Sequence, residues 1–180
     1  SYEIISEEIN RLNAPTDVNL IERAILSNLR TMTKENILNL CDISEGIEGR
    51  IFKYSKSASS LNELIKNIKT KRYTMARIKR LIMYSFLNIT KYYSELPITY
   101  IRVLGFNSKG LEILKKAKKT SLLPIVTKFS EIKNLDDTSK IIFEKECLCT
   151  DLYNMTVPIP RDCGQEQKYK LIIQKNGCES

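Results

Sequence analysis

The apolar residues of this chain change their spacing near residue 95, and that change joins two kinds of packing in one sequence. Up to Tyr92 they recur every three or four positions. Leu20, Ile21, Ala24, Ile25 and Leu29 form one stripe, and Leu61, Leu64, Ile65 and Ile68 a second. Ile78, Leu81, Ile82, Phe86 and Ile89 form a third. Each stripe marks a helix too short to persist alone, so the helices must bury these faces against one another. After Ser94 to Pro97 the pattern shifts. Residues 98–104 are rich in β-branched and aromatic side chains and read as a strand. Residues 105–108 read as a turn, 109–119 as a helix with Leu111, Leu114 and Ala117 inward, and 124–127 as a second strand. Strand, helix and strand at this spacing imply a parallel pair with a right-handed crossover. A further helix starts at Asp136-Asp137-Thr138 and runs to about Tyr153, and residues 168–174 alternate weakly as an edge strand. The expected fold class is therefore α+β, mainly helical. A helical bundle over residues 1–92 precedes a small α/β subdomain over 93–180 that holds the parallel strand pair and ends in a loose tail.

Punctuation within the first region is specific. Residues 2–12 read as a short helix burying Ile4, Ile5, Ile9 and Leu12, and Pro15 breaks it. Asp17 and Thr33 stand where the next two helices need caps, with Glu35 suited to the positive end of the second. Ser60-Leu61-Asn62-Glu63 has the form of a capping box. Residues 44–52 read as a helix despite Gly46 and Gly49, each of which costs about 1 kcal/mol relative to Ala inside a helix. Close packing or close approach of a ligand would explain them, and a frayed first turn would also explain Gly46. Glu45, Glu48 and Arg50 are candidate site residues there. The same charges also suit an exposed helix face.

Charge is unevenly spread. The formal net charge is +8, but residues 44–92 hold 11 Lys/Arg against 3 Asp/Glu, while residues 1–43 hold 4 against 7. The basic excess peaks in residues 70–80, TKRYTMARIKR, which carry five basic residues and no acid. Thr74 is placed to cap a helix from Met75. Arg77, Arg80 and Tyr84 share a face turned away from the apolar stripe. A basic loop leading into a basic helix flank suits a polyanion, and RNA phosphates above all. A plain solvated surface would use the same residue types.

The chain contains no histidine. That excludes a Ser-His-Asp triad, a Cys-His pair and a His-ligated metal built from these residues, and no catalytic residue and no metal site is expected. Five cysteines without a CxxC pair read as reduced thiols of a cytoplasmic protein. No apolar run approaches the roughly 20 residues that span a bilayer, so no membrane partner is expected. The chain starts at Ser1 without an initiator Met, which suggests a processed chain or a fragment. Gly105-Phe106-Asn107-Ser108-Lys109-Gly110 sits where a strand–turn–helix unit can hold an anion, but it matches neither GxGxxG nor a Walker A sequence. A plain turn with Ser108 as cap is the simpler reading.

Several stretches, in order, resemble one bacterial family. They are Leu29-Arg30-Thr31-Met32-Thr33, then Ile43 to Ile51, then Ile68 to Thr74 with Arg77-Ile78-Lys79-Arg80-Leu81. Tyr100 to Asn107, Leu123 to Lys128 and Thr150-Asp151-Leu152-Tyr153 continue the series. The run resembles the C-terminal region of the tRNA(Met) cytidine acetate ligases, a HIGH-type nucleotidyltransferase family. At Gly49 the family more usually has Asn. The resemblance implies an enzyme that activates acetate with ATP as acetyl-adenylate and acetylates the wobble cytidine of elongator tRNA(Met), giving N4-acetylcytidine. It also implies a His-containing nucleotide-binding domain on the N-terminal side, as this chain's partner. On that reading the 180 residues bind tRNA, hold no cofactor themselves and are inactive alone. Arg50, Lys71, Arg72, Arg77 and Arg80 would contact phosphates, Tyr73 would stack on a base, and Thr74 belongs to the same RNA-binding set. Equally, the module would dock on that domain, with Lys71, Arg72 and Arg77 reaching ATP phosphates.

Overall fold

The computed structural model describes residues 16–44 and 46–173. Glu45, the expected helix at 2–12 and the tail after Ile173 lie outside the described residues. The described chain forms two compact units. One runs up to Leu96 and takes back Leu152–Arg161, and the other holds Pro97–Asp151 and the chain from Asp162. The sequence division at 92/93 thus moves to 96/97, and the segment after the last long helix returns to the first unit. Two features tie it there: Asp17 N–H donates to the Thr156 carbonyl at 2.6 Å, and Val157 is buried.

In the first unit a 3₁₀ turn, Val18–Ile21, leads into α1 (Glu22–Thr31), α2 (Lys34–Leu38), α3 (Ile47–Ser55), α4 (Leu61–Ile68), α5 (Met75–Leu87) and α6 (Lys91–Glu95). Helix α1 packs on α5 and α3, and α3 packs on α4 and α2. From the predicted stripes Ile25, Leu29, Leu64, Ile68, Ile78 and Leu81 are essentially inaccessible, and Ile37, Ile47 and Ile51, outside those stripes, join them in the core. Leu20 and Ala24 depart from their stripe: Leu20 stands 55% exposed on the 3₁₀ turn, and Ala24 is exposed while Leu26 is buried in its place. Asp17, Thr33, Ser60 and Thr74 all cap as expected. Glu63 differs. Its carboxylate accepts from Ser59 N–H (2.8 Å) and Oγ, one residue upstream of the predicted box, and those donors hold Glu63 below the usual carboxylate range. The N–H of Leu61 is met instead by Glu22 of α1, at 2.7 Å. Gly46 takes φ +84 ahead of α3, which only glycine adopts freely. At Gly49 the expected close packing is absent, since an added Cβ would meet nothing within 4 Å.

The second unit contains the predicted parallel pair. β1 (Ile101–Arg102) lies beside β3 (Ile125–Val126), with Ile101 opposite Ile125, and the crossover holds β2 (Gly105–Phe106) and α7 (Ser108–Thr120). After β3 come α8 (Phe129–Ile132), α9 (Asp137–Asn154), α10 (Gln165–Lys168) and β4 (Ile172–Ile173). β4 is the weakly alternating segment, and it pairs parallel with β2, the pair expected as a turn. Among the described residues each strand has two residues, fewer than the sequence suggested, and Ile98, Ile101 and Leu104 remain exposed. The core is small: Val126, Ile132 and Phe143, backed by Tyr100, Phe129, Leu135 and Cys147.

An ionic cluster adds to this core. Arg102 pairs with Glu146 at 2.5 Å and with Glu166. Its guanidinium also lies over the Phe143 and Tyr169 rings. The Tyr100 hydroxyl reaches Glu146, and Thr150 Oγ1 donates to Glu166 at 2.6 Å. Burial, reinforced by Glu146, pushes the Tyr100 hydroxyl up to about 12. Burial, with the charges of Glu166 and Glu146, pushes the Cys147 thiol up to about 11.

Two outcomes are expected. Leu81→Asp places an unpaired carboxylate in the first core, at a cost of several kcal/mol. The variant loses the cooperative thermal transition, whereas Met75→Asp, at a residue 45% exposed, melts like the parent. Burial keeps the Cys147 thiol protonated at pH 8. Iodoacetamide mapping by mass spectrometry is expected to find the exposed Cys163 alkylated first, with Cys147 reacting only as pH rises toward 11.

Candidate nucleic-acid interface

The basic stretch is a shaped loop. Helix α4 ends at Ile68, and its last carbonyls are held by Arg50 from α3: Nε donates to the Ile68 carbonyl at 3.2 Å and Nη2 to that of Asn67 at 2.7 Å. The chain then turns around Thr70. Its Oγ1 accepts from the N–H groups of Arg72 (3.2 Å) and Tyr73 (3.1 Å), while Thr70 N–H donates to the Tyr73 carbonyl. The Tyr73 ring, 7% exposed, is sunk in the first core. Thr74 accepts from Arg77 N–H and starts α5. Lys71 and Arg72 are thereby carried at the exposed crest of a turn fixed at both ends.

Arg77 and Arg80 lie on the first turns of α5, off the apolar face, and both are oriented by one loop. Arg77 Nη2 donates to the Asp42 carbonyl at 3.1 Å and to Ser44 Oγ at 2.6 Å. Arg80 Nε donates to the Asp42 carboxylate at 3.1 Å, and Nη2 pairs with the same oxygen. That bond and charge raise the Arg80 pKa further. Asp42 sits at φ +60, a left-handed conformation that Asp tolerates better than most residues. Backbone pairing holds the loop in place, Cys41 N–H to the Ile89 carbonyl at 3.0 Å and Lys91 N–H to that of Asn39 at 2.9 Å.

Of the seven residues named from sequence, four basic groups stand around this loop and helix start: Lys71 and Arg72 on the exposed crest, and Arg77 and Arg80 bonded to the Asp42–Ser44 loop. Thr74 is the cap. Arg50 is spent on the end of α4, because a cation bonded to the last carbonyls complements the negative helix terminus. Tyr73 cannot present its ring to a base, because that ring anchors the loop. Glu48 falls in the first turn of α3. Sequence reading missed Asp42, Ser44 and Thr70. An Asp and a Ser in the break between two apolar stripes were the available turn signal.

The glycines of the Gly105–Gly110 segment are accounted for by packing within the chain. A Cβ on Gly105 would come within 2.9 Å of the Ile172 carbonyl oxygen, and one on Gly110 within 3.0 Å of Phe106 Cβ. The chain's own packing requires both glycines. Asn107, not Ser108, caps α7 by accepting from Gly110 N–H at 2.8 Å.

A sequence model of the family HIGH Nucleotidyl Transferase matches residues 1–168. The tRNA(Met) cytidine acetate ligase of Acetivibrio thermocellus is 37% identical over 183 residues, covering 96% of this chain and 44% of that protein. The enzyme of the same name from Thermosipho africanus is 35% identical over 196 residues, covering 97% and 46%. The crystal structure of Thermotoga maritima TmcAL in its apo form I superposes with a TM-score of 0.85 at 26% identity, over 97% of this chain and 45% of that one. The form bound with alpha-thio ATP gives 0.84 at 27% identity. The chain spans somewhat less than half the length of these relatives. The match also corrects one expectation. A separate N-terminal nucleotidyltransferase domain, with this chain as its C-terminal partner, is overturned, because the nucleotidyltransferase family model runs over residues 1–168 of this chain itself.

Arg50→Met is expected to lower stability by about 1.5–3 kcal/mol, the range for a charged hydrogen-bond donor. Lys71→Met, on the exposed crest, is expected to leave the urea midpoint unchanged. Urea titration followed by circular dichroism checks both.

Proposed function

Because the chain belongs to the HIGH Nucleotidyl Transferase family, we propose that it serves a tRNA(Met) cytidine acetate ligase reaction, and that its own contribution is to bind the tRNA. The observation that carries this reading is the crest at Lys71 and Arg72. Arg50, Thr70 and Tyr73 fix its shape from beneath, and Arg77 and Arg80 follow on the adjoining helix turns. Such preorganisation lowers the entropy lost when phosphates are gripped. It fits a backbone contact that positions RNA without reading its sequence.

ATP and acetate are the proposed co-substrates of the whole reaction. One relative's structure holds an ATP analogue, and the relatives' names specify acetate and cytidine. The elongator tRNA(Met) is the proposed RNA, and the cytoplasm the proposed compartment. Among the described residues no helix is long and apolar enough to cross a membrane.

Charge reversal at Arg77 and Arg80 is a poor test, because a new carboxylate would face Asp42. Lys71→Glu with Arg72→Glu is cleaner. Fluorescence anisotropy with a tRNA(Met) transcript across a salt series is the measurement. The parent is expected to bind with a steep salt dependence. The double variant should bind at least tenfold more weakly, with a log–log slope shallower by about 1.4, two phosphates' worth. Equal affinities for parent and variant would exclude the crest as the RNA contact.

A further inference from the structure

We propose that α7 (Ser108–Thr120) is a second RNA-backbone contact, lying in the second unit and distinct from the basic loop of the first. The inference rests on the RNA-binding reading above and extends it to a surface that reading does not use. The helix has thirteen residues and buries none of them. One side, formed by Gly110, Ile113, Leu114 and Ala117, lines an apolar hollow of about 640 Å³. At 100° per residue, Lys109, Lys115, Lys116 and Lys119 fall within one third of the circumference on the opposite side, with Glu112 the one acid among them. All four lysines are exposed, and among the described residues none forms an ion pair. Lys118, at the edge of this face, pairs with Glu131 at 4.0 Å.

Helix electrostatics alone does not account for this arrangement. Lys118 and Lys119 suit the negative C-terminal end. Lys109 does not, since it stands in the first turn, which contains no acid to offset it. Lys115 and Lys119 face each other as like charges four apart, and Lys116 and Lys119 three apart, which weakens an exposed helix. A row of unpaired cations on a helix without a buried residue calls for an anionic partner. From Lys109 to Lys119 the row spans about 15 Å, while a stacked strand advances about 3.4 Å per nucleotide. Several consecutive phosphates therefore fit along it. The lysine face carries no large apolar side chain, so it lacks what a helix needs to settle into a bilayer surface. That favours RNA over an anionic membrane.

The test uses the full chain in three forms: the parent, Lys109→Gln with Lys116→Gln and Lys119→Gln, and Lys71→Gln with Arg72→Gln. Affinity for a tRNA(Met) transcript is measured across a salt series, and thermal melts verify the fold. The triple variant is expected to bind at least tenfold more weakly at low salt, with a log–log slope shallower by about 2, three phosphates' worth. The charge-preserving Lys→Arg triple is expected to bind like the parent. A parental slope in the glutamine triple, alongside a reduced slope in the Lys71/Arg72 variant, overturns the α7 surface and leaves the basic loop standing. A parent that does not bind the transcript at low salt overturns both readings. Sedimentation with phosphatidylserine vesicles that depends on these three lysines, with unchanged RNA binding, would overturn the choice of RNA.

Discussion

Side chains of the first unit reach across to close the ends of helices they do not belong to. Glu22 of α1 accepts from the first N–H of α4, Arg50 of α3 donates to the last carbonyls of α4, and Arg30 of α1 donates to the carbonyls of Ser55 and Ala58 beyond α3. An acid stands at a helix start and an arginine at each helix end, the order that the peptide dipoles favour. These helices run from five to thirteen residues, lengths at which an isolated helix is marginal in water. The apolar stripes supply the driving force for assembly. The cross-helix caps satisfy the backbone groups that each short helix would otherwise leave unpaired. The basic loop depends on them, since it begins where Arg50 closes α4.

The second unit meets the same shortage of core differently. Among the described residues its four strands have two residues each, and three side chains form the buried centre. Arg102 joins β1 to α9 and α10 through two carboxylates and lies over two rings. Such a group fixes geometry as much as it adds stability, because directional bonds to Glu146 and Glu166 admit one arrangement where apolar contact admits many. Burial first, and the carboxylates of this cluster second, raise the Cys147 thiol and the Tyr100 phenol, against the opposing charge of Arg102.

Helix starts were legible because a cap is local: Thr33, Ser60 and Thr74 each bond a backbone group three residues away. The buried stripes were legible because period 3.6 is written along the chain. Strand lengths were not, since a strand persists only where another strand or a covering layer meets it, and nothing in residues 98–104 says how far that partner extends. The site residues divide along the same line. Lys71, Arg72, Arg77 and Arg80 stand out by charge. Arg50 has the same charge and a different task, visible only once Asn67 and Ile68 are placed against it. Tyr73 is amphipathic, so its sequence suits a base platform and a core anchor equally, and the packing decides for the anchor.

By itself the sequence determined the class of the fold, the caps at Asp17, Thr33, Ser60 and Thr74, most of the buried stripes of the first unit, the parallel pair and the place where positive charge collects. All of these are set by contacts within a few residues or by a period along the chain. Only the tertiary structure decided which arginines are committed to the framework, that Asp42 orients Arg77 and Arg80, and that Leu152–Arg161 returns to the first unit. Those outcomes rest on partners dozens of residues apart, such as Asp42 with Arg80 or Asp17 with Thr156. No local pattern encodes such a pairing. It follows from which surfaces remain to be covered once the helices have packed.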